Sequence, residues 1–247
     1  MIRLCVIGNS HAAALKLAAD GFCAAHPEAR LTFFAAPSRG TEQLQVIEGR
    51  YVASTPELAA QLRLTSGGLD AIDPGAHDAY LIYGFGGRGD SGDNPRGLSA
   101  AFCRAVVLER VRKSLLPRHM EALRSLTDAP VFAALTPLPS ADAADQPRRL
   151  LRHKAEIALV QRAICAPFDV VLCPQPAASL VKGRATRAEF AAGSVPLENA
   201  LKPQAAEHGT LERRHMNAEY GRLWLDGFWP GLCTALAHRE ARQRHGT

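Results

Sequence analysis

The stretch Leu4-Cys5-Val6-Ile7-Gly8-Asn9-Ser10-His11-Ala12-Ala13-Ala14-Leu15-Lys16 decides how the rest of the chain is read. Leu4 to Ile7 is an unbroken apolar run, as expected of a strand buried on both faces, and the alanine-rich run after it favours helix. Between them, Gly8-Asn9-Ser10-His11 forms a strand-to-helix turn. A side chain there stands at the carboxyl edge of a sheet, where the free N–H groups and positive dipole end of the next helix favour developing negative charge. Ser10 therefore has two readings: a hydroxyl placed for chemistry or, like Asn9, an ordinary helix N-cap.

The alternation continues along the chain. Further apolar runs at Leu31 to Ala36, Tyr80 to Tyr83, Val131 to Leu135 and Val170 to Cys173 read as strands. Helical periodicity fills Ala12 to Ala25, about Ser99 to Leu126 and about Arg148 to Cys165, and a last helix starts near His215. Strands alternating with helices imply βαβ units, a parallel sheet covered on both faces and right-handed crossovers. Leu44 to Ile47 and Tyr51-Val52 flank Glu48-Gly49-Arg50 as a hairpin would, and 42–76 reads as an insertion over the sheet edge within a single domain spanning 1–247. Gly84 to Gly97, rich in Gly, Asp and Asn, reads as a long loop after the third strand, on the edge where such sheets bind ligands. Pro174 to Gly209 is poorly periodic and is expected to wrap the surface.

Composition narrows the function classes. Of 247 residues, 47% are hydrophobic and 21% charged, enough for a sizeable core. The net charge is +5, but the basic residues are scattered. Their densest groups, Arg148-Arg149 with Arg152 and Arg213-Arg214, lack interleaved aromatics and read as a solvated surface, so no nucleic-acid partner is expected. The six cysteines form no C-x-x-C pair and no zinc spacing, and read as reduced, buried small hydrophobes. No apolar run is long enough to span a membrane. The first residues show no secretory pattern, so a cytoplasmic location is expected. Neither a cofactor nor a metal is expected. His77, His119, His153 and His208 lie outside any ligand spacing, and Asp90-Ser91-Gly92-Asp93-Asn94 lacks the length and terminal glutamate of a calcium loop.

Near the far end, in Leu211-Glu212-Arg213-Arg214-His215-Met216-Asn217-Ala218-Glu219-Tyr220-Gly221, Glu212 and His215 are three apart. In a turn or helix start, that spacing lets a carboxylate hold an imidazole. A serine hydroxyl needs such a base to act as a nucleophile at neutral pH. Taken without Ser10, the same pair reads equally as a surface acid and a helix-capping histidine.

Together, Gly8-Asn9-Ser10-His11 and His215-Met216-Asn217-Ala218-Glu219-Tyr220-Gly221 resemble the SGNH, or GDSL-like, hydrolases, which carry a G-D-S-like block near the start and a D-x-x-H block followed by Asn, often with Tyr-Gly, near the end. The resemblance implies a three-layer α/β/α sandwich around a mostly parallel, five-stranded, flavodoxin-like sheet. It implies Ser10 as nucleophile, His215 as base and Glu212 as acid, with glutamate in place of the usual aspartate. For the oxyanion hole it implies the backbone N–H of Ser10, that of a glycine matched by Gly40, and an asparagine after the third strand. Here that third block is Tyr83-Gly84-Phe85-Gly86-Gly87 and has no asparagine. A backbone N–H of Gly86 is the first expected substitute, followed by Gly87, Asn94 or Arg88. Losing one such donor costs roughly two to three orders of magnitude in turnover, so the substitution matters. His11 and Asn94 are possible substrate-binding residues. The expected activity is ester hydrolysis on a small or carbohydrate ester. The alternatives are an acyltransferase and a degenerate domain that binds a glycan or acyl group without turnover, with a nucleotide-binding flavodoxin-like domain a weaker third.

Overall fold

The computed structural model describes residues 1–86, 97–141, 149–198, 200, 207–209 and 212–245. The chain runs through β1 (Ile2–Gly8), α1 (Ala13–Ala25), β2 (Ala29–Ala35), β3 (Leu44–Ile47), β4 (Arg50–Ala53), α2 (Pro56–Ser66), β5 (Ala71–Ile72) and β6 (Ala79–Tyr83). It continues through α3 (Ala100–Arg112), α4 (Leu116–Leu126), β7 (Val131–Ala134), α5 (His153–Val160), β8 (Val170–Leu172), β9 (Leu180–Val181), β10 (Ala185–Thr186) and α6 (Ala218–His245).

The five apolar runs form one parallel sheet in the order β2-β1-β6-β7-β8, the flavodoxin-like doubly wound order. Side chains alternate across it. Leu4 and Val6 of β1 join Leu81 and Tyr83 of β6 in a core under α1 and α6, while Cys5, Ile7, Tyr80 and Ile82 join a second core on the opposite face, with residues of α2, α3, α4 and α5. The result is the three-layer α/β/α sandwich that the alternation implied.

Three boundaries differ from the sequence reading. The helix expected from Ser99 to Leu126 is two, and Pro117, which has no N–H to donate and disfavours a helix interior, occupies the first turn of α4. The helix expected from Arg148 is regular only from His153 to Val160; a wide π turn (Gln161–Cys165) then follows, and residues 149–152 are not helical. Arg149 is not solvated either: its guanidinium pairs with Glu156 at 2.5 Å, the two side chains being 5% and 3% exposed. All six cysteines are free thiols. No described helix is long and apolar enough to cross a membrane.

Between β2 and β6 the expected hairpin is present. Glu48 and Gly49, both at positive φ, make its two-residue turn, and β5 adds a third antiparallel strand. α2, which the periodicity did not reveal, is capped by Thr55 and ended by Gly67 in the left-handed conformation.

The contact that brings the two ends of the chain together is between α1 and α6. A Cβ on Gly221 would lie 1.9 Å from the carbonyl oxygen of Ala14, so the two backbones touch directly there. The alanines of α1, among them Ala14 and Ala18, leave room for this approach. Asn217 caps α6 by accepting from Tyr220 N at 3.0 Å, and its amide nitrogen donates to the Glu189 and Ala192 carbonyls, fixing where the helix begins. Gly221→Ala must therefore push α6 outward and is expected to destabilise the protein by about 1–3 kcal/mol. At Gly227 of the same helix an added Cβ meets nothing within 4 Å, so Gly227→Ala is expected to stabilise by about 0.5–1 kcal/mol. Opposite shifts of the thermal unfolding midpoint would confirm the pair.

Candidate active site

β1 and β6 are neighbours in the sheet although β2 to β5 lie between them in the chain, and β2 pairs on the other side of β1. Their carboxyl ends flank the point where the winding reverses, the usual ligand crevice of such sheets. Ser10 stands there, opening a short 3₁₀ turn (Ser10–Ala12) that leads into α1. The cap is Asn9: its Oδ1 accepts the His11 N–H at 3.0 Å, while its Nδ2 donates to Gly84 O at 2.7 Å and ties this turn to the loop leaving β6. With the capping role taken by Asn9, the Ser10 hydroxyl lies 3.0 Å from Nε2 of His215, a residue 205 positions away.

On its other side, Nδ1 of His215 lies 3.3 Å from Oε2 of Glu212, ion-pair distance but without the alignment of a hydrogen bond. The reason is visible in the other carboxylate oxygen, which accepts the backbone N–H groups of Arg214 and His215. The glutamate curls onto its own turn, as its extra methylene requires. Burial disfavours the charged Glu212 carboxylate, but the Arg214 N–H and the contacts with His215 outweigh it and hold the carboxyl below the ordinary range.

His215 also stacks on two other imidazoles. The His11 ring lies 4.8 Å away at 22°, and the His208 ring 4.6 Å away at 16°. His11, a possible pocket residue by sequence, is buried in this stack. His208 had no sequence signal. Burial, then the charge of His215, push its pKa down, and its Nδ1 lies 3.2 Å from the Ser194 hydroxyl. His208, Glu212 and His215 offer three ligand atoms within 4.8 Å of one another, a grouping that metal sites share. The lone pairs of the two stacked rings lie in nearly parallel, separated planes, however, so an ion in the plane of one ring lies out of the plane of the other unless a ring turns.

The oxyanion candidates are placed unequally. Gly40 lies in the turn after β2, but its N–H donates to Pro37 O at 2.9 Å and is engaged within that turn. Gly86, at φ +85°, is wedged against Val111, Ser114 and Leu135, and among the described residues its N–H has no partner. Asn94, Gly87 and Arg88 lie outside the described residues.

A residue to which the sequence assigns no role links these loops. His119 of α4 is fully buried, with Nε2 3.1 Å from the Thr41 hydroxyl, Nδ1 2.8 Å from the Tyr51 hydroxyl and its ring 5.0 Å from Phe85. Thr41 follows Gly40 and Phe85 precedes Gly86, so one neutral imidazole braces the loops after β2 and β6 and the hairpin. No spacing could have announced it, because its partners lie 68 and 78 residues away.

A scan against protein-family models returns no match, and a search of curated proteins returns none. Among solved structures, the chain is similar to the periplasmic domain of a lipopolysaccharide acetyltransferase from Salmonella ser. Paratyphi A, with a TM-score of 0.48 and 6% identity over 94% of this chain and 83% of that one.

Burial, and then the neighbouring Arg118, press the pKa of His119 down to about 3. An unfolded histidine titrates near 6.5, so below about pH 6.5 the unfolded chain takes up a proton that the folded chain refuses, and stability falls as pH drops toward 3. His119→Gln keeps a polar side chain but removes the titration. It is expected to flatten the dependence of the unfolding midpoint on pH across that window, measured by circular dichroism.

Proposed function

We propose that this chain is a serine ester hydrolase of the SGNH type, working through Ser10, His215 and Glu212 on a small or carbohydrate ester. The observation that carries this reading is the 3.0 Å contact between the Ser10 hydroxyl and His215 Nε2 at the crevice of the sheet, with a carboxylate at the opposite ring nitrogen. In this reading Ser10 Oγ attacks the ester carbonyl while Nε2 takes its proton. The imidazolium then faces the Glu212 carboxylate. The oxyanion is met by the backbone N–H groups of Ser10 and Gly86, at the positive end of α1. When the tetrahedral intermediate collapses, His215 returns the proton to the departing alcohol. Water, activated by the same ring, then cleaves the acyl-serine; transfer to another hydroxyl would use the same chemistry with a different acceptor.

A second reading, binding of an acyl or glycan ligand without turnover, draws support from the missing third-block asparagine and the engaged Gly40 N–H. Treatment with a fluorophosphonate followed by intact-mass measurement separates the two. One adduct on the wild type and none on Ser10→Ala is expected. On an ester panel, His215→Ala is expected to lower kcat by about 10³-fold or more, and Glu212→Gln, whose contact is poorly aligned, by a smaller factor of about 10–100. A wild type that neither takes the adduct nor turns over any ester supports the binding reading.

A further inference from the structure

We propose that the groove between α5 and α6 is a second ligand site, separate from Ser10, which takes an amphiphile with a long apolar chain and an anionic head. The groove has a volume of about 850 Å³ and runs along β8, floored by Leu172 and walled by Phe132, Ile157, Trp224 and Phe228. That size and apolar lining suit a small-molecule site. In strand order, β8 is three places from β1, about 14 Å at the usual spacing, so this is not the crevice of Ser10.

Three observations point to an occupant. Gly227 and Gly231, one turn apart in α6, both line the groove, and an added Cβ at either meets nothing within 4 Å. Glycine within a helix weakens it. At Gly221 a touching backbone accounts for the glycine, whereas at the exposed Gly227 and Gly231 no described residue fills the space they leave. The second observation is His153, 6% exposed and lining the same groove. Its Nε2 accepts the Gln175 N–H at 3.0 Å, which places the proton on Nδ1, and that N–H, itself closed off from the surface, has no acceptor among the described residues. The third is charge: the ionisable groups lining the groove, apart from its cysteine, are His153, Lys154 and His238, with no Asp or Glu among them. His153 and Lys154 begin α5, so an imidazole, an ammonium and the positive helix end belong to one segment of the groove's lining. An anionic head fits that segment, with the chain running toward Gly231.

A partner strand is a poorer occupant. The free edge of β8 is already paired by the side chain of Gln161, whose Nε2 donates to Val170 O at 3.0 Å and whose Oε1 accepts the Leu172 N–H at 2.6 Å.

The test uses cis-parinaric acid, a fluorescent long-chain carboxylate, and its methyl ester. The wild type is expected to bind the acid saturably, and Ser10→Ala to bind it equally well, which keeps the result independent of catalysis. Gly231→Leu, which fills the groove with a good helix former, is expected to weaken binding about tenfold or more without lowering the unfolding midpoint. Lys154→Gln is expected to weaken the acid several-fold and leave the methyl ester nearly unchanged. Absence of saturable binding, binding indifferent to Gly231→Leu, or binding lost in Ser10→Ala would overturn the proposal. So would a wild-type dimer by analytical ultracentrifugation that Gly231→Leu dissociates, since the groove would then hold a second copy.

Discussion

The architecture depends on one steric fact: Gly221 has no side chain. Ser10 and His215 lie 205 residues apart, and what brings them within 3.0 Å is the docking of α6 on α1, backbone against backbone, at Gly221 and Ala14. Each contact residue is close in sequence to its reactive partner, Ala14 four after Ser10 and Gly221 six after His215. The hydroxyl-to-imidazole distance is thus set within about two helical turns of that backbone contact. Interiors packed at crystal density transmit such a constraint with little slack.

Around that pair, the polar geometry shows how a longer acid alters the turn that carries a histidine. An aspartate would place its carboxylate by a short, stiff side chain; Glu212 folds back and spends one oxygen on the amides of its own turn. What orients the His215 ring is therefore shared between an off-line carboxylate and the stacked rings of His11 and His208. The bond from Asn9 to the Gly84 carbonyl couples the Ser10 turn to the loop leaving β6, two residues before Gly86.

Much of this was legible in the sequence because it is local. Fully buried parallel strands read as short apolar runs, and all five are where Leu4 to Ile7 and its counterparts lie. The Ser10 turn and the Glu212 to His215 spacing could be recognised because each sits within a few residues. What stayed hidden depends on distant partners. His119 and His208 owe their places to residues folded against them, and the burial of Arg149 depends on Glu156, which falls on the same side only once the non-helical 149–152 stretch has turned into α5. The division between α3 and α4 was legible in principle, since Pro117 marks it, but apolar periodicity on both sides masked the break. The engaged N–H of Gly40 is a property of one turn's conformation, in which Ser38 takes a positive φ that composition does not announce.

The side chain of Gln161 carries a consequence for how the molecule comes into being. It satisfies the last strand of the sheet from the wide turn that follows α5, so an amide on a helical segment closes what another strand would otherwise have to cover. Until that turn has formed, β8 offers bare N–H and C=O groups beside the exposed Val171, the sort of surface on which nascent chains stick to one another. Docking of one glutamine therefore closes the edge on which a newly made chain could otherwise pair with its neighbours.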